Sequence, residues 1–588
     1  MSGYLITSIN LAEKANGSFS LSDFWIKRIR RLFPALFFMI FVLLSVFLFL
    51  LLPEDLERMC KSVIAVLCLV SNWFFLHQSG YFAPSSDEQF LLHTWSLSVE
   101  EQFYIILPVM IWFLNKQQFK AFVIVLALCS FGACLIMGLH NQEVNYFLLT
   151  TRAWELFFGC IIACWEKEEP KYPYKKIYLT SFLPVLILLF IAFYYNASTP
   201  FPGIFTVPVI LATGFIIYFG GKMPGSFKIL EVHPLVFIGK ISYSFYLWHW
   251  PVFALFYYFS YGPSRWYIRV LLVVVAFLLS CLSFYFIEQP FRKNSLIITN
   301  KKMVIFYIAS LFVGLGVSYF GIYSAGVRFS INHEVIRLLD SLNFADGPRL
   351  DVIGDPKKIK PLFKNGGKNV VLWGDSHAGH FVPGIVDRYK DSKCSFYYYG
   401  LGCAPPIADY ARGIRLTTKN ETIAYTDKVL DYLIANQSLD SIILAGFWES
   451  CDGDITEILD GFEKVCSKLN DANKKVYFVM DVPRFSVSPV KFVRRRNAFG
   501  ISEFKEGEIS VSEYNRSNLV QSKLLAVAEK YNVKILDPSS KLLNREFGNK
   551  FSIWNNSGLV YFDDNHLNIA GSIICSGVFN EVFEQYGK

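Results

Sequence analysis

Three polar residues far apart in the chain carry the pattern of a nucleophile and its base. Ser376 stands in "KNVVLWGDSHAGHF", directly after the apolar run Val370 to Trp373. A serine hydroxyl becomes a nucleophile only beside a base, and the base needs a third group to fix its tautomer. "DDNHLN", near the other end, supplies Asp563 and His566 three residues apart. Taken singly, the GDS is a tight turn and the Asp–His pair a surface loop. Taken together, each at the end of a strand-like run, they fit a hydrolase-type triad in which Ser376 attacks, His566 is the base and Asp563 orients it.

For these groups to meet, the last part of the chain must bring strand ends together. Besides 370–373, strand-like runs fall at 440–448, 474–483, 532–538 and 557–564, with helical stretches at 421–436 and 513–531 between them. Strands alternating with helices argue for a parallel sheet covered on both faces, with its site at the carboxyl ends of the strands. A helix expected after Ser376 would present its N-terminus to developing negative charge. Five cysteines, Cys394, Cys403, Cys451, Cys466 and Cys575, lie in this part; an odd count leaves at least one thiol free, and no Cys/His metal spacing appears.

The rest of the chain is of another kind. Of 588 residues, 53% are hydrophobic, and the excess lies before residue 325 or so, in nearly continuous apolar blocks. Candidate spans fall near 33–52, 59–77, 102–114, 121–139, 147–165, 177–195, 204–220, 235–259, 266–287 and 303–324. The net charge of +8 sits largely in short loops between these blocks, where it sets orientation and excludes nucleic acid as a partner. Lys116, Lys120, Lys167, Lys171, Lys175, Lys176, Lys222, Lys228, Arg292, Lys293, Lys301 and Lys302 fall in alternate loops, which makes that side cytoplasmic. The 303–324 helix then runs outward and the Ser376 domain lies outside the membrane, in the periplasm of a bacterium. The same bookkeeping requires that 59–77 fail to span or be followed by a re-entrant return through 78–97. That return would hold His93, Glu100 and Glu101 at membrane depth around a cavity.

Ionisable groups in the membrane half are the second set of candidates. Arg28 and Arg31, one turn apart at the cytoplasmic boundary, suit either a clamp on acyl-CoA phosphates or topology-setting charge. His93, Glu100 and Glu101 suit either proton handling or a structural polar network. Arg152 and Glu155 are spaced to pair within one apolar helix, while His249, Glu288 and Arg292 read as structural.

The motifs "SGYLIT" (2–7), "KRIRRLFPAL" (27–36), "HTWSLSVEEQFYIILP" (93–108), "TRAWELFFG" (151–159), "GKISYSFYLWHWP" (239–251) and "IEQPFRK" (287–293) recur in order, and through them the front half resembles the acyltransferase-3 family. "GDSHAGH" with the later "DxxH" resembles the SGNH hydrolase family, which implies the roles given above for Ser376, His566 and Asp563. It also implies an oxyanion hole built from the amides of Ser376 and Gly402. The family's third-block asparagine has no counterpart, since "LAGFWES" puts Trp448 there.

The joint resemblance implies a multi-spanning α-helical membrane domain at 1–300, a linking transmembrane helix at 301–325 and a periplasmic linker at 326–368. A three-layer α/β SGNH domain with a flavodoxin-like parallel sheet follows at 369–588. It implies an inner-membrane O-acyltransferase that passes an acetyl group from cytoplasmic acetyl-CoA to a hydroxyl of a periplasmic or lipid-linked glycan such as lipopolysaccharide O-antigen. No bound cofactor or metal is implied. A membrane-tethered SGNH esterase and a non-enzymatic flippase or scaffold are the alternatives. Family members carry, before "SGY", a membrane helix with a catalytic histidine. The expectation is therefore an upstream coding start with Met1 internal, or a truncated homologue that has lost transfer.

Overall fold

The computed structural model describes residues 1–78, 86–165, 182–196, 199–220, 231–260, 264–293, 299–324, 333–342, 356–402, 404–410, 419–451, 454–500, 507–544, 549–555 and 558–587. Of the expected linker at 326–368, residues 326–332 and 343–355 fall outside the described residues. So do Cys403, Lys167, Lys171, Lys175, Lys176, Lys222 and Lys228. The chain divides into two compact units, Met1–Tyr258 with Ser264–Arg328, and Phe259–Pro263 with Phe329–Lys588.

The described residues of the first unit are helical. Five helices are long and apolar enough to cross a membrane: Leu21–Leu50, Lys116–His140, Gln142–Trp165, Trp266–Arg292 and Asn300–Tyr323. Among the described residues Leu183–Tyr194 and Ile204–Phe219 are shorter apolar helices, and Thr94–Phe113 and His233–Phe259 are helices at the expected 102–114 and 235–259. The first eight helices are α1 (Ser2–Ala15), α2 (Leu21–Leu50), α3 (Pro53–Leu67), α4 (Ser71–His77), α5 (Thr94–Phe113), α6 (Lys116–His140), α7 (Gln142–Phe147) and α8 (Leu149–Trp165). Helix α5 starts eight residues before the expected 102, so Glu100 and Glu101 lie on a regular helix, not in an irregular return.

The expected span 59–77 is broken. Leu69 adopts a positive φ of 59° and separates α3 from α4. Backbone released by such a break must find a partner at membrane depth. Gln102 of α5 provides one, its Nε2 donating to Leu69 O at 2.8 Å and to Asn72 Oδ1 at 2.9 Å. Ser71 Oγ donates to Thr94 O at 2.9 Å, pinning the start of α4 to α5. Helices α1 and α8 approach so closely that a Cβ on Gly3 would stand 2.0 Å from Leu156 O, and one on Gly159 2.7 Å from Tyr4 N. Two of the motif glycines are therefore helix-packing residues.

The second unit is built on a six-stranded sheet of order β1-β3-β2-β4-β5-β7. Its strands are β1 (Phe363–Lys364), β2 (Asn369–Gly374), β3 (Ser395–Gly400), β4 (Leu439–Ala445), β5 (Lys475–Val479) and β7 (Lys534–Leu536), with β6 (Glu508–Ser510) outside it. All neighbours are parallel except edge strand β1. Every residue of β2 is buried, as expected of a central strand covered on both faces. Trp373, Tyr399, Leu444, Trp448, Phe462 and Phe478 join one apolar cluster on the sheet.

Two elements differ from the sequence reading. Strand β3 lies in "SFYYYG" and forms the neighbour of β2, although no strand was expected there. The expected strand 557–564 stays out of the six-stranded sheet: among the described residues β11 (Gly558–Leu559) pairs with β10 (Trp554–Asn555), and Gly558 has a φ of +126°. Strand β6 pairs instead with β9 (Lys550–Ser552), which also holds β8 (Leu543–Asn544).

Candidate active site

Strand β2 delivers the nucleophile. Gly374 closes it, in register with Gly400 of β3 and Ala445 of β4. A Cβ on Gly374 would lie 1.7 Å from Ala445 O, so only glycine lets β4 pass this close. Asp375 then turns the chain, its Oδ1 accepting the His377 amide at 2.8 Å and its carboxylate the Phe447 amide from beyond β4 at 3.0 Å. Burial raises the Asp375 carboxyl above its ordinary range, and these amides oppose that rise. Ser376 begins a single turn of four residues, Ser376–Gly379. The helix expected after Ser376 is thus present as this one turn, followed by Val382–Tyr389, and a single turn sums little macrodipole.

Across the sheet end, His566 Nε2 lies 2.9 Å from Ser376 Oγ and His566 Nδ1 lies 2.8 Å from Asp563 Oδ2. Asp563 Oδ1 also accepts the amides of Asn565 at 2.9 Å and His566 at 2.6 Å, which folds the loop around the carboxylate. Burial works against the charged form, but the His566 ring and these amides hold Asp563 below the usual carboxylate range. An ionised carboxylate only accepts, so Nδ1 of His566 carries the proton and Nε2 presents a lone pair to the serine hydroxyl. The structure thus brings Ser376, His566 and Asp563 into one hydrogen-bonded line.

Gly402 lies in the turn two residues past Gly400, as Ser376 lies two residues past Gly374, at the same end of two paired strands. Trp448 is fully buried and donates its Nε1 to Val479 O at 2.9 Å, so the indole at the third-block position faces the core. Cys394, Cys466 and Cys575 are buried free thiols among the described residues.

A second line of polar groups runs beside the first, unmarked in the sequence reading. His377 Nδ1 lies 2.7 Å from Asp481 Oδ1 and its Nε2 3.1 Å from Asn565 Oδ1, while the ring stacks on Phe447 at 4.3 Å. Burial opposes the charged ring, yet the Asp481 carboxylate raises His377 to about 9. The available signal was Asp481 in "VMDVP", a carboxylate just past the end of β5 on the side where sites form.

In the first unit the sequence candidates separate into clusters. Arg28 Nε lies 3.6 Å from Glu101 Oε1, and its guanidinium lies 3.6 Å above the Tyr104 ring. Tyr104 donates to Glu100 Oε2 at 2.8 Å and Ser2 Oγ to Glu100 Oε1 at 3.3 Å. Arg31, one turn along, is exposed. His93 is buried, with its ring 5.2 Å from Tyr246 and 5.6 Å from His249. Arg152 Nε pairs with Glu155 Oε1 at 2.9 Å, and its guanidinium lies 5.2 to 5.5 Å from the rings of Phe201, Trp95 and Tyr146. No metal-binding group of His, Cys, Asp and Glu occurs among the described residues.

Residues 1–289 match the acyltransferase domain family, and residues 343–581 match the SGNH domain found fused to AT3 domains. The chain is 34% identical over 314 residues to the O-acetyltransferase OatA of Staphylococcus aureus, covering 50% of this chain and 51% of that protein. It is 36% identical over 322 residues to the peptidoglycan O-acetyltransferase OatA of Listeria monocytogenes, covering 50% of each. The chain spans about half the length of the curated relatives it matches. A solved structure, the periplasmic domain of a Salmonella ser. Paratyphi A lipopolysaccharide acetyltransferase, is similar at 18% identity and a TM-score of 0.33, covering 42% of this chain and 95% of that one.

Proposed function

Because the chain joins an acyltransferase domain to an SGNH domain on one polypeptide, we propose that it is a membrane-bound O-acetyltransferase acting on a glycan outside the inner membrane. The donor is acetyl-CoA, taken up by the membrane domain from the cytoplasmic side. Arg28, Arg31, His93, Glu100, Glu101 and Arg152 are its membrane-domain residues for donor binding and passage of the acyl group. Their polar clusters among apolar helices support this reading.

The observation that carries the proposal is the Ser376–His566–Asp563 line. Ser376 Oγ gives its proton to His566 Nε2 and bonds to the acetyl carbonyl carbon. The tetrahedral oxyanion rests on the amides of Ser376 and Gly402. The bond to the leaving group then breaks, and that group takes the proton back from His566. In the second half, His566 removes the proton of a sugar hydroxyl, the sugar oxygen attacks acetyl-Ser376, and Oγ leaves with the proton.

The acceptor is a hydroxyl of a surface glycan. The relative from Listeria monocytogenes, a peptidoglycan O-acetyltransferase, favours peptidoglycan over the O-antigen expected from sequence. Membranes carrying the full chain, given labelled acetyl-CoA and isolated peptidoglycan, are expected to yield alkali-labile label on the glycan, absent with Ser376→Ala. Label that appears equally with Ser376→Ala excludes the serine as carrier. Release of free acetate with no labelled glycan, from peptidoglycan or O-antigen, favours an esterase.

A further inference from the structure

The second polar line beside the triad has a chemical reading of its own. His377 is 1% exposed, and each of its ring nitrogens faces an acceptor: Asp481 Oδ1 at 2.7 Å and Asn565 Oδ1 at 3.1 Å. The Asn565 amide is oriented by its own partner, because its Nδ2 donates to Asp564 Oδ1 at 2.9 Å, which leaves Oδ1 for the histidine. Asp481 is fixed in turn: its Oδ1 accepts the Val482 amide at 3.0 Å, its amide donates to Gln521 Oε1, and its carbonyl accepts Tyr514 OH at 2.7 Å. A ring between two acceptors satisfies both only when both nitrogens carry protons.

The two lines are joined residue to residue. His377 follows Ser376, Asn565 precedes His566, and the two imidazole centroids stand 4.6 Å apart. We propose that His377 is a positioning residue, an imidazolium cross-link between the nucleophile turn and the 563–566 loop, which holds His566 against Ser376. The cross-link rests on the triad reading above and deepens it. Facing His377 are Asp481 from the turn after β5, Asp375 and His380 from its own turn, and Asp564 and His566 from the loop. The Arg484 guanidinium lies 5.3 Å from the Phe447 ring, and Glu449 is close enough to Asp481 and Arg484 to feel their charges. His380, fully buried with neither ring nitrogen hydrogen-bonded, is held neutral by burial and by the neighbouring rings, so the cation beside the base is His377.

The test uses the full chain in detergent and p-nitrophenyl acetate hydrolysis across pH, with Ser376→Ala as the zero. His377→Gln is expected to lower turnover at least tenfold, and Asp481→Asn to lower it while removing one of the two ring protons of His377 in nitrogen-15 histidine spectra. Turnover unchanged in His377→Gln overturns the cross-link while leaving the triad standing. Turnover that survives Ser376→Ala overturns both. If His377→Gln does not fold, nitrogen-15 histidine spectra of the unaltered chain decide: two protonated ring nitrogens at pH 7.5 support the cross-link, and a singly protonated ring overturns it.

Discussion

Ser376 Oγ and His566 Nε2, 190 residues apart in the chain, lie 2.9 Å from each other. The sheet makes this possible. Parallel strands β2 and β4 end in register at Gly374 and Ala445, and the 563–566 loop reaches back over that end with its own carboxylate enclosed. The base is thus oriented by a residue three positions away, so its alignment depends on the loop keeping its fold as well as on the charge of Asp563.

Asp563→Asn should separate these contributions. The amide keeps the loop's shape through Oδ1 but loses the charge that sets the His566 tautomer. Ser376-dependent ester hydrolysis is expected to fall roughly 10³- to 10⁴-fold with little change in thermal midpoint. Asp563→Ala should cost similar activity and also lower the midpoint, read by scanning fluorimetry.

Gly374→Ala tests the close passage of β4. The new methyl would sit 1.7 Å from Ala445 O, so the strands must part or the turn must shift. A loss of about 3 kcal/mol or more is expected, by denaturant titration of the full chain followed at tryptophan fluorescence.

Trp448→Asn restores the residue type that the family motif calls for, yet no gain in turnover is expected. The side chain is fully buried and hydrogen-bonded to Val479 O, pointing into the core. The substitution opens a cavity and buries an amide, at a cost of about 3–5 kcal/mol. Denaturation and ester hydrolysis measured on the same preparation check both halves.

The His377–Asp481 pair gives stability a pH dependence. Burial opposes the charged ring, but Asp481 raises it to about 9, above the ordinary value of 6.5. Protonation therefore favours the folded state. The contribution is complete below about pH 6.5 and is lost as pH rises through about 9, on the order of 3 kcal/mol in total. The thermal midpoint of the second unit is expected to fall across that window, and His377→Gln should flatten the slope.

The residues of the triad were legible because their chemistry is local to short motifs: an apolar run into GDS, and an Asp–His spacing. Strand β3 was not, since "SFYYYG" shows neither alternation nor a β-branched run, and its place is set by pairing with β1 and β2 on its two sides. The 513–531 helix breaks at Asn518, whose non-helical φ of −111° and ψ of 55° separate Val511–Ser517 from Leu519–Lys530. A short polar side chain that competes with the helix ladder leaves that outcome open in sequence. The break at Leu69 carried no glycine or proline to mark it; the Gln102 side chain that satisfies it comes from another helix. His377 and Asn565 sat inside quoted motifs, but pairing them required Asp481, which only the sheet brings near.

The central claim is that Ser376 carries the acetyl group between donor and acceptor. Its most direct test is acid quenching of the full chain during turnover with acetyl-CoA in membranes, followed by peptide mass spectrometry. An acetyl adduct on the peptide bearing Ser376, lost on adding glycan acceptor and absent from His566→Gln, is the expected result. Acetylated glycan forming while that peptide stays unmodified at every quench time would contradict the account.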